Sequence, residues 1–206
     1  MAAYVQYGCG RSAPHEWVNF DASLTLWVER APLLGQLRPR GQRIFPENVL
    51  YGDIVKGLPL APASCRAVYC SHVLEHLALE DFRQALHNSR RILASGGIFR
   101  LVVPDLRAAA RRYVADESGH AACNFLNETS LGVTTRPRNL RGFVRSWLGN
   151  SRHLWMWDFP SLRQELQNAG FTGIRQASLG DSEDGRFRSV EEQSRWEDAV
   201  GLQCYA

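Results

Sequence analysis

The chain has 206 residues, 45% hydrophobic and 22% charged, the balance of a soluble globular protein long enough for one full core. Its formal charge of +3 is too small to argue for a nucleic-acid partner, and no run of about 18 uncharged apolar residues offers a membrane span. No basic start leads into an apolar stretch, so no signal peptide is expected and the cytoplasm is the expected compartment.

In chain order, Tyr4-Val5-Gln6-Tyr7 reads as a strand ended by Gly8, and Trp17-Val18-Asn19-Phe20 as a second ended by Asp21. Leu24 to Leu37 reads as a helix with Leu24, Trp27, Val28 and Leu34 on one side. Val49-Leu50-Tyr51 is a short third strand and Ala67-Val68-Tyr69-Cys70 a clearer fourth. A helix from about Leu79 to Leu93 keeps Phe82, Leu86, Arg90 and Leu93 at helical spacing, and Gly96-Gly97 is expected to stop it. Ile98 to Val103 is the most apolar strand; Pro104 ends it, and Asp105 can cap a helix from Leu106 to Ala115. From about Ser118 to Arg152 no period is visible, and a loop of that length is usually functional or mobile. A helix from Pro160 or Ser161 to Ala169, closed by Gly170, and strands near 173–177 and 201–205 finish the chain. The alternation predicts an α/β fold with a parallel sheet covered on both faces, which binds ligands at the carboxyl ends of its strands.

The polar candidates fall at those ends. Gly8-Cys9-Gly10 is either a plain turn or a place where backbone approaches a ligand closely. Asp21 either accepts from ribose hydroxyls or caps a helix, a role open to Ser23 as well. Asp21 stands only 13 residues after Gly8, with Pro14 between. A dinucleotide fingerprint places its acid about 20 residues on, after a helix whose N-terminus holds the pyrophosphate. The short gap opposes NAD or FAD and suits a cofactor with a ribose and no phosphate. Asp53 can accept from an adenine amino group with Ile54 against the ring, or can simply be a turn aspartate after Gly52. His72-Val73-Leu74-Glu75-His76 matches the HxxEH zinc-protease pattern, but it directly follows a strand, as Cys70-Ser71-His72. Three readings stay open for it: a zinc hydrolase site, a cofactor or substrate pocket, or plain structure. No metal ligand is assigned. Arg136, Arg138, Arg141, Arg145 and Arg152 either meet an anionic substrate or form a solvated basic surface. The five cysteines make no CxxC pair and are expected to be reduced thiols.

Taken together, the chain resembles the small bacterial class I S-adenosylmethionine-dependent methyltransferases. The likeness rests on Tyr4 to Gly10, Trp17 to Asp21, Gly52 to Leu60, Val68 to Leu77, Arg91 to Gly97, His153 to Trp157 and Leu166 to Phe171. The third glycine of the longer first motif is missing. The resemblance implies a Rossmann-like, doubly wound, mostly parallel seven-stranded sheet with an antiparallel C-terminal strand. It implies one domain over residues 1–206, with a substrate lid at about 118–155. It implies S-adenosylmethionine as cofactor, with Gly8, Cys9 and Gly10 at its methionine end, Asp21 at the ribose, Asp53 and Ile54 at the adenine, and Ser71 and His72 lining the pocket. The expected acceptor is a small molecule or saccharide precursor. If it is a hydroxyl, His72, His76 and His153 are the base candidates. A catalytically degenerate cofactor-binding module is the rival reading.

Overall fold

The computed structural model describes residues 3–31, 43–135 and 152–206. Seven strands form one sheet: β1 (Ala3–Tyr7), β2 (Val18–Asp21), β3 (Val49–Tyr51), β4 (Cys65–Ser71), β5 (Leu93–Pro104), β6 (Thr172–Ala177) and β7 (Ala199–Tyr205). Their order across the sheet is β3-β2-β1-β4-β5-β7-β6. All neighbours pair in parallel except β7, which runs antiparallel to both β5 and β6. The central strands are buried on both faces and therefore read as near-continuous apolar runs. Alternate residues of β4 serve the two sides: Val68 and Cys70 join one core, Ala67 and Tyr69 the other.

Register fixes the functional edge. Tyr7 pairs with Phe20 on one side and with Cys70 on the other. The next residue of each strand is therefore Gly8, Asp21 and Ser71, side by side at the carboxyl ends. The chain runs outward from β1 to β3 and then returns to β4, so β1 and β4 flank the point where strand order reverses. Open α/β sheets bind ligands there.

Helices cover the first core. In α2 (Leu79–Ile92), Phe82, Ala85, Leu86, Ser89 and Ile92 are buried. In α5 (Phe159–Asn168), Leu162 and Leu166 are buried, and Asp158 and Ser161 form a capping box at its start. The helix α1 (Leu24–Arg30) begins at Ser23, whose hydroxyl accepts from the Leu26 amide at 3.2 Å. The helix α3 (Leu106–Ala115) begins at Asp105, which caps the Arg107 amide as expected.

Three sequence expectations change. The buried face of α1 carries Leu26 and Glu29, while Leu24 and Trp27 are about half exposed. Leu26 fills a small core with Cys9 and Val49, and Glu29 accepts from the Ile44 amide, so the helix is turned toward the loop before β3. Leu34 lies outside the described residues. The second helix stops at Ile92 because Leu93 is buried and already pairs with Cys65 in the sheet; Gly96 and Gly97 belong to β5. The stretch expected to be irregular holds α4 (Ala121–Glu128), whose Phe125 ring sits 5.4 Å from that of Tyr113. Residues 136–151 of the expected lid, with Arg136, Arg138, Arg141 and Arg145, lie outside the described residues.

The second core, around Tyr4, Trp17, Ala67, Tyr69, Ile98 and Val102, is closed by short 3-10 turns at Gly185–Ser189 and Gln193–Arg195. Phe187 and Val190 are buried there. Arg100 on β5 pins this segment from within. Its side chain has no exposure, pairs with Glu191, and donates to Asp181 at 2.8 Å and to the Ser178 carbonyl at 2.6 Å. Its guanidinium lies 4.8 Å from the Trp196 ring centroid. No helix among the described residues is long and apolar enough to cross a membrane.

Candidate functional site

After β1 the chain turns through two left-handed glycines, Gly8 at φ 65° and Gly10 at φ 56°. A Cβ on Gly8 would stand 2.1 Å from Val73 Cγ2, so this glycine lets the loop after β4 pack on the end of β1. A Cβ on Gly10 would meet nothing within 4 Å; open space adjoins it. Cys9 is buried, and burial with the nearby Asp21 charge pushes its thiol up to about 12, so it is a filler and not a nucleophile.

Asp21 braces the turn. One carboxylate oxygen accepts from the Gly10 amide at 3.0 Å and the other from the Ser23 amide at 2.8 Å. The helix cap itself falls to Ser23, with Asp21 ordering that residue from outside the helix, and each Asp21 oxygen has capacity for a further hydrogen bond. The next strand end carries Asp53, which accepts from the Val55 amide at 3.0 Å and lies 3.5 Å from Lys56. Ile54 is only 4% exposed and packs in the main core, so its side chain is committed inward.

Composition and spacing gave no sign of how the loop between β1 and β2 is held. A buried amide pair does it: Gln6 donates to Asn19 at 2.6 Å and to the Ser12 carbonyl, and Asn19 donates to the Pro14 carbonyl. Gln6 and Asn19 stand in adjacent strands at one register, a fact that only sheet order reveals.

At the end of β4, Ser71 is buried and its hydroxyl has no hydrogen-bond partner among the described residues. His72 follows with φ 54°, a left-handed conformation that side chains rarely adopt. Three bonds hold it. Its amide donates to the Val102 carbonyl, its Nε2 lies 2.8 Å from the Arg195 carbonyl, and Arg195 donates to the Ser71 carbonyl. Backbone strain of this kind clusters at active sites, ligand clamps and switch regions.

The HxxEH stretch is not a long helix. It forms a single 3-10 turn, Leu74–His76. The Glu75 carbonyl accepts from the Leu154 amide at 2.7 Å and the Trp155 amide at 3.1 Å. His76 Nδ1 lies 2.8 Å from the Arg152 carbonyl. Those contacts bring His153 to the turn, with its ring centroid 5.0 Å from that of His76. All three base candidates thus surround Glu75. Burial lowers His72's basicity, but the Glu75 side chain and the Arg195 carbonyl outweigh it and raise its pKa above the usual histidine value. At His153 burial outweighs the pull of Glu75, and the pKa falls.

A groove of about 870 Å³ lies at the opposite, amino end of the strands, between Tyr4, Arg66, Ile98, Asp184, Arg186 and Tyr205. It contains none of the site residues expected from sequence, whereas Gly8, Asp21, Asp53, Ser71 and His72 share the carboxyl edge.

A sequence-family model described as "Methyltransferase domain" matches residues 5–101, which span β1 to β5 and this whole edge. No curated protein sequence matches the chain. Among solved structures it is similar to a possible histamine N-methyltransferase from Thermotoga maritima, at 14% identity and a TM-score of 0.53, over 100% of this chain and 82% of that one. It is similar to the YcgJ protein from Bacillus subtilis at 14% identity and a TM-score of 0.52, over 99% and 91%. A third similar structure, PigF with SAH, has 14% identity and a TM-score of 0.51, over 99% of this chain and 50% of that one. Strand order, family match and shared fold agree: residues 5–101 match a methyltransferase domain, and the whole chain has the fold of solved S-adenosylmethionine-dependent methyltransferases.

Proposed function

We propose that the carboxyl edge of β1, β2 and β3 holds S-adenosylmethionine and that methyl transfer takes place beside β4, onto a small molecule or a saccharide precursor. The observation that carries this reading is the Gly10–Asp21 pairing. The turn is braced by the very carboxylate that a ribose would use, and the glycine beside it has room for a ligand. In this reading Gly8, Cys9 and Gly10 form the wall at the methionine end, and Asp21 accepts from the ribose hydroxyls. Asp53 faces the adenine amino group, and Ser71 and His72 border the methyl. Ile54 supports the adenine end from the core beneath.

The cofactor supplies a methyl group already activated by its sulfonium. The protein's task is then alignment, which contributes roughly 7–11 kcal/mol of barrier lowering in favourable cases. The strained His72 backbone and the 152–155 segment fix the acceptor side. If the acceptor is a hydroxyl, an imidazole taking its proton adds about 10²–10⁴-fold. The five free cysteines suit a reducing cytoplasm, the compartment proposed here.

The test is transfer of labelled methyl from S-adenosylmethionine across a panel of small hydroxyl and amine compounds, nucleotide sugars, protein and RNA. Label is expected in a small-molecule or saccharide fraction. Label confined to protein or RNA would contradict the acceptor class. Tight S-adenosylhomocysteine binding with no transfer to any fraction would instead favour a degenerate cofactor-binding module.

A further inference from the structure

Glu75 has a side chain 1% exposed, and neither carboxylate oxygen accepts a hydrogen bond among the described residues. A carboxylate kept from water in this way requires a positive partner. Three imidazoles face one of its oxygens: His72 Nδ1 at 3.4 Å, His76 Nε2 at 3.9 Å and His153 Nε2 at 4.0 Å.

Two of these rings are oriented from outside the cluster. A carbonyl only accepts, so the nitrogen beside it carries the proton. His76 thus donates from Nδ1 to the Arg152 carbonyl and turns the Nε2 lone pair toward Glu75. His72 donates from Nε2 to the Arg195 carbonyl and turns Nδ1 inward. Outer partners of this kind are how proteins fix histidine tautomers around a metal. The His76 lone pair and a carboxylate oxygen thus face one another across a point that a proton or a cation can occupy.

The spacing is close to what a cation needs. One ligand atom each from Glu75, His76 and His153 lies within 4.8 Å of the others. A tetrahedral ion with bonds of about 2.0–2.1 Å sets ligand separations of about 3.3–3.4 Å, so small side-chain shifts close the site. His72, His76 and His153 keep 28%, 20% and 12% of their side chains exposed, which leaves an entry path. The cluster adjoins the cofactor turn, because Val73, inside the same stretch, is the residue packed on Gly8.

We propose that Glu75, His76 and His153 bind a divalent ion of the Zn²⁺ class, with His72 bordering the site, and that the ion holds a hydroxyl oxygen of the methyl acceptor. The second half of this proposal rests on the methyl-transfer reading above. Two imidazoles and a carboxylate suit Zn²⁺ and its neighbours over Mg²⁺ or Ca²⁺. Three protein ligands leave a coordination position for the acceptor. In the transfer, an oxygen lone pair forms the new C–O bond as the C–S bond breaks. The C–S electron pair stays on sulfur, and the hydroxyl proton leaves to solvent.

The test uses the full chain stripped with a chelator, titrated with Zn²⁺ by calorimetry and with Co²⁺ by visible absorption. S-adenosylhomocysteine binding is measured in parallel. One ion per chain is expected. His76→Gln and His153→Gln are each expected to weaken it by more than the roughly 10–100-fold typical of losing an outer partner, with cofactor binding and circular dichroism retained. His153→Gln is the primary variant, since Glu75 is buried and its replacement tests the fold together with the site. A chain that binds S-adenosylhomocysteine but neither ion overturns the proposal and shows that protons alone neutralise Glu75. Ion binding unchanged in both variants also overturns it. A chain that binds the ion as predicted but not S-adenosylhomocysteine upholds the metal site and counts against the methyl-transfer reading instead.

Discussion

Arg100→Leu is expected to destabilise the protein by about 3–5 kcal/mol, the range for removing one partner of a buried charge pair. The substitution leaves Glu191, itself 1% exposed, without its cationic partner. It also removes the donor to Asp181 and Ser178 and the cation stacked on Trp196. At about 2–4 °C per kcal/mol for a chain of this size, the melting temperature should fall by about 6–20 °C. Arg100→Leu combined with Glu191→Leu should recover part of the loss, because no lone carboxylate then faces the core. Scanning calorimetry of the three proteins is the check, and an unchanged melting temperature in the single variant would contradict it. The consequence reaches the site, since the segment that Arg100 pins carries Arg195, whose carbonyl holds His72.

Gly8→Ala and Gly10→Ala should separate the two jobs of the glycine turn. Both residues are left-handed, which costs a residue bearing a Cβ about 1–2 kcal/mol. At Gly8 the new methyl also collides with Val73, whose branched side chain has little freedom to move, and overpacking adds about 1–3 kcal/mol. Gly8→Ala should therefore lose about 2–5 kcal/mol of stability. Gly10→Ala should lose only the backbone share, because its Cβ enters open space. In the proposed reading that space belongs to the cofactor. Gly10→Ala should thus weaken S-adenosylhomocysteine binding about tenfold or more, a change of about 1.4 kcal/mol or more. Denaturant unfolding and calorimetry read the two effects separately. Equal stability losses at the two positions would show that the distinction is wrong.

Much of the sheet was legible because its strands are short apolar runs punctuated by Gly8, Asp21 and Pro104. The edge residues were legible for the same reason, since strand ends are where such punctuation falls. What stayed hidden depends on contacts distant in sequence. The buried face of α1 is decided by Cys9, Val49 and the Ile44 amide, none of which its own periodicity contains. Helix α4 buries none of its residues and so imposes no strong apolar stripe. The HxxEH match left open which residues surround Glu75. The 3-10 turn and the 152–155 segment gather His153 and His76 around Glu75, a convergence brought about by the Glu75 carbonyl's two bonds and the His76 contact with the Arg152 carbonyl. Arg100 in the middle of an apolar strand gave a signal that sequence reading passed over, because its partners lie far along the chain.

The most direct measurement is titration calorimetry of the wild-type chain with S-adenosylhomocysteine and with NAD, repeated on Asp21→Asn. Asp21 is proposed to accept from the ribose hydroxyls, and hydrogen bonds to a charged group contribute about 1.5–3 kcal/mol. Wild type is expected to bind one S-adenosylhomocysteine per chain and no NAD, with affinity falling roughly 10–150-fold in Asp21→Asn. Saturable binding of NAD with none of S-adenosylhomocysteine, or an affinity for S-adenosylhomocysteine untouched by the substitution, would contradict the cofactor site placed at Gly8, Gly10 and Asp21.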